Sequence, residues 1–205
     1  MSATGRFTQA AVPKRADARR NYDRLLAAAA AAFAEHGADD VSLEEIARRA
    51  GVGIGTLYRH FPARQALLEA VYKDQVDALD VLAAKLLTAE SPGAALADWM
   101  RAFIAFGRTK RSLSSALVAT IGKDSELISA CSMILRGRTD QILRRAQDAG
   151  EARPGVQAAD ILRLTHGLIM ATDAAPADPE QQDRLLSLVI DGVLGRGLAE
   201  HEPDS

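Results

Sequence analysis

The chain has 205 residues, 48% of them apolar and 4% aromatic, and a formal net charge of −2, which excludes a generally basic nucleic-acid coat and demands that any affinity for polyanions come from a local cluster. Cys131 is the only cysteine, so no intramolecular disulfide can form and a reducing compartment suits the chain. The longest apolar run, residues 25–34, falls far short of the ~20 residues a membrane span needs, and the N-terminus lacks the apolar core of a signal peptide, so a cytoplasmic protein is expected.

Residues 1–16 have the composition of a flexible arm. From 17 to 36 the pattern predicts a first helix, with Tyr22, Leu25, Leu26, Ala29 and Phe33 on one stripe and Gly37 as its stop. Ser42 followed three residues later by Glu45 is a capping box that starts a second helix. Leu43, Ile46, Ala47 and Ala50 form its buried stripe. Gly51 and Gly53 then permit a sharp turn, because glycine tolerates backbone angles that a Cβ would forbid.

The next short helix runs from about Gly53 to Arg59. On a wheel of 100° per residue Leu57 and Phe61 fall together, which leaves Gly55, Thr56, Tyr58 and Arg59 on the outward arc with His60 at its edge. That arc is small, hydroxyl-bearing or cationic. It offers donors for phosphates and base edges, and a glycine that lets a backbone come close. Residues 17–62 thus read as a helix-turn-helix head ending in a recognition helix. Residues 1–64 hold ten basic side chains against seven acids, a net charge of +3, so the remainder carries −5.

An uninterrupted pattern from Ala63 to about Leu87 predicts one helix of ~37 Å at 1.5 Å per residue, long enough to belong to head and body alike. Ser91-Pro92-Gly93 breaks the chain. Leu96, Trp99, Met100, Phe103 and Phe106 recur with helical spacing to about Arg108, and a short helix follows from Lys110 to near Gly122. Further helices are expected at 125–149, 157–174 and 180–198, with a flexible tail at 199–205. The fold expected is all-α: a three-helix head joined by a long helix to a helical body over 63–198, about nine helices in all.

The last two helices carry more apolar surface than one small body hides: Ile161, Leu162 and Leu168 on one, Leu185, Leu186, Leu188, Val189 and Val193 on the other. Gly167 and Ala171, four apart, would let a neighbouring helix approach closely. This set predicts a homodimer closed by a four-helix bundle. Trp99, Met100, Phe103, Phe106, Met133, His166 and Met170 are candidates to line an effector cavity, with plain core packing as the competing account of each.

No catalytic arrangement is visible, and no cofactor or metal is expected. His36, His60, His166 and His201 are scattered, without a second histidine four residues on or a thiol partner. Gly53-Ile54-Gly55 lacks the third glycine of a dinucleotide loop and follows a helix where that loop needs a strand.

The segment GVGIGTLYRHFPARQALLEAVY resembles the signature of the TetR family of one-component transcriptional regulators, closely over residues 17–75 and in architecture beyond. The resemblance implies that Gly55 to Phe61 is the recognition helix, that Thr56, Tyr58 and His60 touch phosphates or bases, and that Ser42 and Arg64 touch phosphates. It also implies that Arg19 and Arg20 lie along the minor groove or backbone. Ile54 stands where many members carry a polar residue or lysine and is a candidate for a thymine methyl. With Gly53 and Arg59 these make up the expected DNA-binding set. The function implied is a homodimeric regulator, a repressor that holds a palindromic operator on double-stranded DNA and is released by a small molecule. The alternative is a helical dimer that binds a ligand or protein and whose head no longer engages DNA.

Overall fold

A computed structural model describes residues 14–122, 125–173 and 179–195. They form eight helices and, among the described residues, no strand: α1 Lys14–His36, α2 Leu43–Arg49, α3 Ile54–His60, α4 Arg64–Leu86, α5 Pro92–Ile121, α6 Glu126–Asp148, α7 Ala158–Asp173 and α8 Pro179–Leu194. The expected all-α head and body are present. Most of the arm and the whole tail lie outside the described residues, and α1 begins at Lys14, inside the stretch expected to be arm.

Helix starts follow local chemistry. The hydroxyls of Ser42, Ser91 and Ser125 accept from the backbone N–H three residues on, at 3.1, 3.3 and 3.2 Å, and Pro92 opens α5 where its missing N–H costs nothing. The capping box of α2 forms in one direction. Glu45 turns its carboxylate to Arg48 and Arg49, because two guanidiniums compete better than one backbone amide.

The break expected near residues 108–110 does not occur, and α5 runs on as one helix to Gly122, whose φ is +81°. Gly107, just before the expected break, is a packing notch. A Cβ there would sit 2.1 Å from Ile169 Cδ1, so the glycine lets α7 close on α5.

The core is continuous from head to body. Leu25, Ala29, Phe33, Ile46, Leu57 and Phe61 are buried in the head; α4 adds Leu67 and Leu68 beneath it and Val76, Leu79 and Ala83 against α5 and α6. Trp99 is fully buried, its Nε1–H donating to Thr139 Oγ1 at 3.0 Å, and Thr139 donates in turn to Leu135 O at 2.8 Å. Two arginines of α6 hold α4: Arg138 pairs with Asp80 at 2.6 Å, and Arg145 donates to Leu86 O and Ala89 O past the helix end. No described helix is long and apolar enough to cross a membrane.

Candidate nucleic-acid interface

The turn between α2 and α3 rests on one glycine. Gly51 has φ +64°, a left-handed conformation that a Cβ disfavours, whereas Gly53 has φ −70° and ψ 148°, values open to any residue. Gly53 is the N-cap of α3, without a side chain to cap it. Its expected role in the turn is therefore corrected: Gly51 makes the reversal, and Gly53 leaves the entrance to α3 bare.

Leu57 is 0% exposed and Phe61 2%, anchoring α3 underneath. Ile54 at 37% and Tyr58 at 47% stand out on the other side with Gly55 and Arg59, while Thr56 and His60 are half-buried. A Cβ added at Gly55 would meet nothing within 4 Å. Arg59 makes no ion pair among the described residues. His60 leans an edge toward Tyr22, with ring centroids 5.9 Å apart, so α1 shares in fixing its ring.

Around this arc the cations divide by what already holds them. Arg19 pairs with Asp23 at 3.1 Å and Arg20 with Asp17, both exposed on α1, and such pairs are weak enough to be exchanged for phosphates. The Ser42 hydroxyl spends an oxygen lone pair on the cap and keeps its proton for a donor role. Arg49 bridges α1 to α2, donating to Glu35 at 2.6 Å and Glu45 at 2.7 Å. These contacts hold both carboxyls below the usual range: Glu35 through its bond with Arg49, Glu45 through Arg48 first and Arg49 second.

Arg64 departs from the expected phosphate contact. Its guanidinium donates to Val41 O at 2.7 Å and to Ala38 O, and lies 5.9 Å from the Phe33 ring centroid. The loop between α1 and α2 has carbonyls without helical partners, and the first residue of α4 satisfies them. Arg64 is thus an internal tie.

The body separates residues that were expected together. Trp99, Met100, Phe103 and Phe106 are buried along α5, whereas Met133 is 70% exposed, Met170 45%, and His166 is exposed too. The seven therefore do not surround one space. Cys131 and Leu135 mark the inward side of α6, and Met133 lies about 200° round from Cys131 at 100° per residue. Ile161, Thr165, Leu168 and Ile169 fill the inward side of α7, which turns His166 and Met170 outward.

The expected dimer set also divides. Ile161, Leu168, Leu186 and Val193 belong to the protomer's own core, because α7 and α8 must close over α5 and α6. Leu162, Leu185 and Val189 are half-buried, and Gly167, Ala171 and Leu188, the last 68% exposed, face out. Leu164 and Met170 join that outer face, a contribution the composition of α7 did not single out. Tyr72 and Gln75, each with a buried polar atom that has no partner among the described residues, did not stand out either. Their signal was a pair of polar groups on the apolar stripe of α4.

Among the described residues no three His, Cys, Asp or Glu side chains converge to hold a metal. Two family descriptions match the chain: "Bacterial regulatory proteins, tetR family" over residues 25–71, and "Transcriptional regulator SbtR-like, C-terminal domain" over residues 91–194. A TetR transcriptional regulator of Streptomyces coelicolor is 36% identical with a TM-score of 0.74, the match covering 84% of this chain and 97% of that one. A TetR regulatory protein of Mycobacterium vanbaalenii is 37% identical with a TM-score of 0.71, covering 89% and 99%. An HTH-type transcriptional regulator of Staphylococcus aureus is 38% identical over 63 residues, so the match spans 31% of this chain and about a third, 34%, of that relative. With head and body both matched and the solved relatives covered almost end to end, the chain belongs to the TetR family of transcriptional regulators.

Proposed function

We propose that this protein is a cytoplasmic, homodimeric, ligand-responsive repressor that occupies a palindromic operator and leaves it when a small molecule enters the body. The observation that carries the reading is the two-sided α3: Leu57 sealed below, and Ile54, Gly55, Tyr58 and Arg59 presented above. Tyr58 and Arg59 supply donors and a cation without an internal partner to leave, and Gly55 allows close approach of the duplex.

One helix of seven residues reads few bases. Two heads about 34–36 Å apart would read a palindrome on one face of DNA. The outer face of α7 and α8, with Gly167, Met170, Ala171 and Leu188, is the surface that a second copy would cover. Ligand release of DNA would then be a shift between two head separations, no larger than the ligand's differential affinity for them.

The test is the double substitution Tyr58→Ala with Arg59→Ala. Retention on genomic DNA fragments captured by the wild-type protein should fall about tenfold to a hundredfold, with dimer mass and melting temperature preserved. Undiminished retention would favour the alternative of a dimer whose head is idle.

A further inference from the structure

Buried polar side chains in the body are partnered almost throughout. Thr139 and Thr165, both fully buried, donate to Leu135 O and Ile161 O at 2.8 Å, and the Trp99 N–H meets Thr139. Two atoms of α4 break the pattern. The hydroxyl of Tyr72, a residue 1% exposed, and Oε1 of Gln75 are buried with no hydrogen-bond partner among the described residues. Three positions apart, they share a face of α4 whose other members, Leu68, Val71, Val76 and Leu79, are apolar. Phenylalanine and leucine there would fill similar space without stranding a polar atom, so stability alone does not account for this pair.

Their surroundings restrict what could satisfy them. The Tyr72 ring lies 6.4 Å from Phe106, Phe106 lies 6.0 Å from Phe103, and Phe103 lies 6.3 Å from Trp99, an aromatic row along α5. Among the described residues no charged side chain is buried, and the side chains around this pair are mainly apolar or aromatic. Burial, and secondarily the nearby Cys131, pushes the Tyr72 hydroxyl up to about 12, which keeps it protonated and able to donate. A hydroxyl group can both accept, as the Tyr72 O–H requires, and donate, as Gln75 Oε1 requires. A carboxylate cannot donate, and an ammonium cannot accept.

We propose that Tyr72 and Gln75 form the polar end of the effector site, and that the effector is an uncharged, mainly apolar molecule bearing a hydroxyl group, its apolar part lying along Phe103 and Phe106. This rests on the ligand-responsive reading above. It also explains where the signal would enter: the two side chains belong to α4, the helix that begins just past α3 and holds the head through Arg64.

The experiment titrates the full-length protein, without DNA, with primary alcohols from hexanol to tetradecanol and with alkanes and carboxylates of matching length. Melting temperature and the emission of Trp99, the only tryptophan, are the readouts. Alcohols should raise the melting temperature and alter Trp99 emission where alkanes and carboxylates do less. Tyr72→Phe and Gln75→Leu should each weaken alcohol binding about tenfold. Without ligand each variant should melt no lower than the wild type, since no polar atom is then stranded.

Alcohols that bind no better than alkanes, or that bind both variants as they bind the wild type, would overturn the inference. So would a lower unliganded melting temperature in both variants, which would mean that each group has an internal task. Capture of genomic DNA by the wild-type protein is scored separately: its failure would fall on the regulator reading, and the alcohol titration would still decide the site.

Discussion

Arg64→Ala separates two readings of one residue. If the guanidinium ties α4 to the loop between α1 and α2, its removal strands Val41 O and Ala38 O and takes the cation from beside Phe33. Hydrogen bonds to a charged group contribute ~1.5–3 kcal/mol each; the two here share a partly exposed donor, so the joint loss is about 2–4 kcal/mol. Urea denaturation at neutral pH, followed by circular dichroism, should show that loss as a lower midpoint at unchanged slope. A phosphate contact predicts something else: unchanged stability, and a salt dependence of DNA binding flatter by about one unit in the log–log slope. Were Arg64→Ala to melt as the wild type while flattening the salt slope, the internal-tie argument would be refuted.

Gly51→Ala should cost about 1–2 kcal/mol from its left-handed backbone, and Gly53→Ala less, roughly 0.5 kcal/mol, as an N-cap change without backbone strain; a larger loss in thermal melts for Gly53→Ala would contradict the assignment of the turn to Gly51. Thr139→Val strands the Trp99 N–H and should destabilise the body by about 1–3 kcal/mol, with a shifted Trp99 emission; an unchanged midpoint would show that the bond carries no weight. Asp80 is held low by its hydrogen bond to Arg138, so the folded protein binds that proton more weakly than the unfolded chain does. Its contribution is therefore present above the ordinary carboxylate range, about pH 4, and is lost as pH falls through the lower folded value. Asp80→Asn should reduce the acid dependence of the denaturation midpoint, and an identical acid limb would count against the pair. Leu188→Arg, on the outer face of α8, should give one-chain mass in light scattering at micromolar concentration; a retained two-chain mass would place the interface elsewhere.

The head was legible because its signals are local. A serine cap, a glycine turn and a stripe at 3.6-residue spacing are each written within a few neighbours, and α2 and α3 begin within a residue of expectation. The body was legible as helices but not as a site. Periodicity says that Met133 and His166 lie on helices; only the packing of α6 and α7 says which way those helices are turned. The same holds for Arg64, whose partners lie 23 and 26 residues away in sequence. Gly107 drew no notice because a glycine's value to a helix in another part of the chain cannot be seen from its neighbours. Tyr72 and Gln75 escaped notice for a related reason: a polar group on an apolar stripe becomes informative once the absence of a partner is visible.

The linker from α3 to α4 spans residues 61–63, and the opening residue of α4 is bolted to the loop that precedes α2. Two fastenings on different sides leave the three-helix unit little room to swivel independently. On the proposed reading, a tilt of the α4 shaft would pass to the DNA-reading surface with little slack, and in a two-fold pair a displacement too small to notice inside the body would become a change in the distance between two heads.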